Sequence, residues 1–548
     1  MQRSKYIACA LALTFGSMVL GVTAHEDDPP VAGEVEKLGS VNFPVSCNEA
    51  AQREFNRAMA LFHSFWWDVG KQSFAKVLEL DPGCGMADWG IAWMSLSNPF
   101  TWPSNPNAAK AGAPAMADAV RISAKSERER DYIAALALFY KDWETTDVRI
   151  RALALEKAMQ NVAQKYPSDD EAQILYALVL NATAQPTDKT FANQLKAAAI
   201  LEPLFKKYPN HPGVAHYLIH TYDYAELAEK GLPSAGVYAG IAPSAPHALH
   251  MPSHIFSRVG YWKEMVEGNR ASYLAARSEL KEAALSVGNY DALHAMDYMV
   301  FGQLQQAQDK AAKAVVSEVA AMGKVNVENF VAAYAFAAIP SRYALERGDW
   351  QEAAKLKLSP PDLAWNKFPQ SEAILVFARA LGAARNGDIA AARKDVERLQ
   401  TLKENMVSAK IGYWPTQTDF QIKAVNAWIA LAEKHNDDAL ELMRAAALAE
   451  EASDKHPVTP GNVVPSRQLL AEMLLVTGQP ALALAEFEQS LKRDPNRFRS
   501  IDGAARAAEA AGKQKLAGEY NARLLNLARD GDTERPELIR ARQFLAAR

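Results

Sequence analysis

From Asn48 onward apolar residues recur at spacings of three and four, alanine is abundant and β-branched runs are short. That is the pattern of amphipathic α-helices. Strand-like stretches are too few to build a sheet. Proline and asparagine interrupt the helical pattern at 98–114, 185–190, 357–369 and 453–465, where longer connections are expected. Shorter interruptions, QKYP, KKYPN and KRDPN, stop helices with proline. The clearest periodic feature is an offset of 34 residues. His216 and His220 in HYLIH return as His250 and His254 in HMPSH, and Pro209 returns as Pro243. A helix–turn–helix unit of that length predicts an all-α array of stacked helix pairs.

Several segments carry the same internal signature. Residues 480–495 read PALALAEFEQSLKRDP, with Ala483, Phe487 and Pro495 after Gly478, and residues 70–82 place Gly70, Phe74 and Pro82 alike. RGDWQEAA at 347–354 and NGDIAAA at 386–392 open two more second helices. These spacings resemble the tetratricopeptide repeat (TPR). The passages HSFWWDVGKQSFAKVLELDPGCGMADWGIAW, HALHMPSHIFSRVGYWKEM and LLAEMLLVTGQPALALAEFEQSLKRDPNRF resemble a group of large exported bacterial TPR proteins without established activity. The resemblance spans roughly residues 40–530 and implies a TPR-type α-solenoid, a right-handed superhelix with several loop insertions. It also implies a concave groove that binds a protein or peptide partner.

The chain starts with Arg3 and Lys5, then an apolar run from Tyr6 to Val22 and small residues before Ala24. This predicts a signal peptide, 1–24, cut after Ala24, and an exported protein, periplasmic or secreted, with no transmembrane segment thereafter. A polar lead-in follows at 25–47, read as mobile over 25–45. The array is expected over 48–356, further repeats over 370–452, and a last repeat with capping helices over 463–548. The formal charge of −4 becomes −6 once Arg3 and Lys5 leave, so nucleic acid is excluded as a partner. Cys47 and Cys84 remain, each just before the first helix of neighbouring repeats. A disulfide is expected between them, with two buried thiols as the alternative.

Six of the eleven histidines lie between His211 and His254. On a helix beginning at residue 212, His216, His220 and Asp223 share one face. His247, His250 and His254 take corresponding places in the next unit, and the TPR resemblance puts such positions in the groove. Arg258, His294 and Asp297 extend the candidate ligand-binding set; Arg342 is a further candidate for a carboxylate. Four imidazoles, His216, His220, His250 and His254, are a plausible inner set for a divalent transition metal, zinc or copper. The alternative is a polar groove cluster without metal. Pro252 predicts a helix start or kink that would spoil a face shared by His250 and His254. His63 reads as a satisfied turn histidine, and Trp89 and Trp93 as core. The amine and ring of His25 could chelate copper at a mature N-terminus. The chain has no HExxH, GxSxG, phosphate-binding glycine loop or CxxCH, so no known catalytic signature supports an enzyme.

Overall fold

The computed structural model describes residues 36–104, 108–185, 187–278 and 287–547, all within one compact unit, Glu36–Arg548. The signal peptide, its cleavage after Ala24 and the His25 chelate lie outside the described residues. The described chain is a succession of helices, each packed on the next. Glu49–His63 packs on Trp67–Leu80, Pro369–Arg385 on Ile389–Ser408, and Ser466–Val476 on Pro480–Arg493. Short turns make partners antiparallel, and second helices pack on the following pair, which is how a solenoid buries one continuous core. The strands among the described residues are Val287–Gly288 and Lys324–Val325, a two-residue parallel pairing.

Local chemistry sets the boundaries. Asn48, Ser126, Asp169 and Asn329 cap helices with their side chains. Proline stands in the first turn of Pro212–Tyr222, Pro369–Arg385 and Pro480–Arg493. The turns inside pairs need a left-handed residue: Gly348 has φ 65° and Gly478 φ 77°. Packing repeats as well. A Cβ on Gly90 would come within 2.4 Å of the Phe74 ring, and one on Gly503 within 2.1 Å of the Phe487 ring. Each glycine follows its phenylalanine by sixteen residues. The small residue lets the aromatic one wedge between successive pairs.

Two large apolar clusters form the core, one from Leu38 to Ile255 and one from Leu293 to Ala541. Trp89 and Trp93 are fully buried in the first. The lead-in differs from expectation over 36–47. Phe43 is fully buried against Phe55, Trp89 and Tyr132, and Lys37 N–H donates to Ser244 Oγ at 2.8 Å. Leu38 is buried beside it, and Val41 and Val45 pack on the same core. Cys47 and Cys84 form a disulfide. No helix among the described residues is long and apolar enough to cross a membrane.

The array also folds back on itself. The connection 453–465 reaches residues some two hundred positions earlier: Lys455 Nζ lies 2.6 Å from Asp223 Oδ2, and Asp454 Oδ1 2.8 Å from Arg258 Nη2. Arg342 donates to Gly461 O at 2.8 Å. These contacts close the inner face of the solenoid around the histidines.

Candidate metal centre

Pro212–Tyr222 is buried along its whole length, so its histidines point into protein. His216 and His220 stand one turn apart with Nε2 atoms 3.1 Å from each other. His216 Nδ1 lies 2.7 Å from the His63 carbonyl. A carbonyl only accepts, so the proton sits on Nδ1 and the Nε2 lone pair of His216 faces inward. His247, on the short helix Pro246–His250, brings its own Nε2 to 3.2 Å from that atom. Three imidazoles thus converge. Aromatic rings hold them: Tyr238 lies parallel to His216 at 5.2 Å, and Phe100 stacks on His220 at 4.0 Å. Phe65 touches all three, at 4.4, 5.9 and 5.4 Å from His216, His220 and His247. Its backbone is left-handed, φ 53°, which is costly for a bulky residue and turns the ring into the cluster.

The second set is built around Pro252, which does start a helix, Pro252–Val259. It does not, however, separate its neighbours. Met251 keeps helical angles (φ −56°, ψ −35°) and its N–H bonds to His247 O at 2.9 Å, so the chain runs on without a kink large enough to part the two rings. His250 and His254 Nε2 lie 3.1 Å apart. The His294 ring, from Tyr290–Gln305, is 4.3 Å from His250. His250, His254 and His294 each offer a ring nitrogen within 4.8 Å of the others, as do His216, His220 and His247.

The hydrogen bonds behind this second set decide its chemistry. Asn269 Nδ2 donates to Met265 O at 2.7 Å, so Asn269 Oδ1 is free to accept from His250 Nδ1, also at 2.7 Å. His254 Nδ1 donates to Asp223 Oδ2 at 3.0 Å. A neutral imidazole carries one proton. Both protons are therefore on Nδ1, and two Nε2 lone pairs face one another at 3.1 Å. Burial holds all six imidazoles below their ordinary pKa, which disfavours placing an extra proton between them. A metal cation between them would resolve the conflict. Two imidazoles on a tetrahedral ion at 2.0–2.1 Å have nitrogens roughly 3.3 Å apart, close to the spacings here. A histidine whose other nitrogen donates to a carboxylate or amide oxygen is the usual outer arrangement of a metal ligand.

Asp223, Arg258 and Asp297, expected beside a ligand, are spent behind the rings. Asp223 receives His254, Arg258 Nε at 2.9 Å and Lys455 at 2.6 Å. Burial alone would raise its carboxyl, but Lys455 and Arg258 hold it far below the carboxylate range. Burial lowers the Lys455 ammonium to about 8 despite Asp223. Asp297 pairs with Arg342 Nε at 2.8 Å, both fully buried, so Arg342 has no vacancy for an outside carboxylate. His63 is satisfied, as the turn reading has it, by Tyr217 Oη at 2.9 Å and Glu171 Oε2 at 3.1 Å. His211 donates to Glu171 Oε1 at 2.9 Å and caps Val214 N–H through Nδ1. In this third group no two lone pairs oppose, so it closes without a cation.

The two histidine sets adjoin. His220 and His254 rings are 6.1 Å apart, and His247 and His250 rings 6.0 Å apart. His247 and His294, one from each set, open on a cavity of about 540 Å³. Asn269, Phe65, Phe100 and Lys455 escaped the sequence reading. Asn269 sits in GNRAS without a helical-face signal, and Lys455 is near the site only because the array folds back.

No family model matches the chain, and no curated protein matches it. Among solved structures the chain is similar to human IFIT1 in a dimer with PPP-AAAA, at 12% identity and a TM-score of 0.37, over 86% of this chain and 89% of that one. It is similar to yeast Tom70 at 13% identity and a TM-score of 0.28, over 91% and 95% of the two chains. The TPR domain of P58(IPK) gives 12% identity and a TM-score of 0.20, over 85% and 99%. Scores this low bear on neither ligand nor activity, and the helical-repeat architecture rests on the packing of this chain itself.

Proposed function

We propose that this protein is an exported helical-repeat metalloprotein whose six imidazoles hold two transition-metal ions, copper or zinc, side by side. The observation that carries the reading is the pair of Nε2 lone pairs of His250 and His254 opposed at 3.1 Å, each ring's proton being committed on its far side. All six donors are neutral nitrogens without thiolate or carboxylate, a set that suits copper and zinc. Three protein ligands per ion leave coordination positions for a reactant, the mark of catalytic rather than closed structural sites. The cavity beside them, about 540 Å³, has the size of a small-molecule site. That favours a small molecule over the peptide that the groove of a TPR-like scaffold would suggest. The Cys47–Cys84 disulfide is in keeping with an oxidising compartment.

Elemental analysis of the mature protein, purified without chelator and after incubation with Cu(II) or Zn(II), tests this. About two equivalents per chain are expected, falling to about one in His216→Ala/His220→Ala. Substoichiometric metal that the double substitution leaves unchanged would remove the reading.

A further inference from the structure

The cavity that His247 and His294 open on is walled by aromatic rings. Phe65 and Trp67 in its lining stack at 4.6 Å and 28°, with Phe65 lying flat on His247 at 26°. Phe330 packs on Trp414 at 5.5 Å, and Trp414 lies 5.1 Å from His456. A cavity lined by aromatic rings, with the imidazoles of His247 and His294 beside them, suits a flat ring with one polar edge. The charges point the same way. Six neutral imidazoles give two dications no compensation, and Asp223 is already matched by Lys455 and Arg258. The carboxylates on the cavity wall are Asp68, which pairs with Lys71 at 2.8 Å, and Asp291; neither is among the six nitrogen donors. An anionic oxygen entering from the cavity is therefore favoured at the metals.

We infer that the cavity binds a planar aromatic molecule of the phenol class, its ring against the aromatic lining and its oxygen on the metal ions. The oxygen half of this inference rests on the metal reading above; the ring half rests on the cavity walls.

The probe is 4-nitrocatechol, followed by its visible absorption and by calorimetry. Metal content is measured on the same samples. Metal-loaded protein is expected to bind 4-nitrocatechol with a spectral shift. Trp414→Leu removes one wall, and Val327→Trp fills the mouth from an exposed position. Each is expected to weaken 4-nitrocatechol by about tenfold while metal content stays at its wild-type value. Should Trp414→Leu disturb folding, Val327→Trp decides the matter. Unchanged affinity in Val327→Trp with metal bound overturns the inference and leaves the metal reading standing. Samples without metal overturn the metal reading and the oxygen contact with it.

Discussion

At the scale of single residues, the site depends as much on what stands behind the histidines as on the histidines. Asn269 is fully buried and its amide is oriented by Met265 O, so that Oδ1 takes the His250 proton and turns Nε2 inward. Replacing it by leucine keeps the branched shape and removes the acceptor. Asn269→Leu is expected to weaken metal at His250, His254 and His294 by about 10–100-fold. The ion at His216, His220 and His247 should be held as before, and chelator competition with each ion titrated separately measures both. Equal loss at the two sets would show a general collapse instead. The candidate histidines were legible in the sequence because a repeat places equivalent residues at a fixed offset. Asn269 was not, because nothing in its neighbours' spacing reports which ring it meets.

At the scale of elements, the repeat unit explains where sequence reasoning holds. Phe74 against Gly90 and Phe487 against Gly503 are the same contact at opposite ends of the array. Helix pairs, their turns and the proline stops follow from short-range periodicity and were readable in advance. Pro252 starts a helix, as its ring predicts, and still leaves His250 beside His254: a proline at the start of a helix need not bend the chain, because the first turn lacks partners anyway. The disulfide acts at this scale too. It joins residues 37 apart and ties the start of Glu49–His63 to the start of Gly85–Ser95. Cys47→Ser/Cys84→Ser is expected to cost about 3–4 kcal/mol through the loop it no longer closes. Urea unfolding followed by the fluorescence of the tryptophans near the N-terminus measures it, and an unshifted midpoint would contradict it.

At the scale of the whole molecule, part-buried ion pairs join distant repeats. Glu472 lies between Arg499, at 2.7 Å, and Arg385. Burial alone would raise its carboxyl, but the two guanidinium groups bring it down from the ordinary 4.5 to about 2. Its folded pKa is below its unfolded one, so the stabilisation is present above about pH 5 and is lost as pH falls towards 2. Glu472→Gln should therefore be less stable than wild type at pH 7 by roughly 2–3 kcal/mol. The gap should close near pH 2, where the wild-type carboxyl is protonated as well. Thermal unfolding of both proteins at pH 7, 4 and 2 reads this, and a gap independent of pH would count against it.

The amino-acid sequence by itself determined the helices, their pairing into units and the equivalence of two histidine pairs, His216/His220 and His250/His254. These are consequences of spacing within about forty residues, where a helix converts sequence separation directly into direction. Only the tertiary structure decided that His247 and His294 complete the two sets and that Lys455 and Asp454 lock Asp223 and Arg258 behind them. It also decided that aromatic rings from Phe65 to Trp414 wall one cavity. Lys455 and Asp454 reach Asp223 and Arg258, and Trp414 shares a cavity with Phe65, because the chain folds back over some two hundred residues or more. That curvature is the sum of small rotations between units, which no local pattern records. The equivalence of the two histidine pairs was written in the chain; the rings that complete each of them were chosen by the fold.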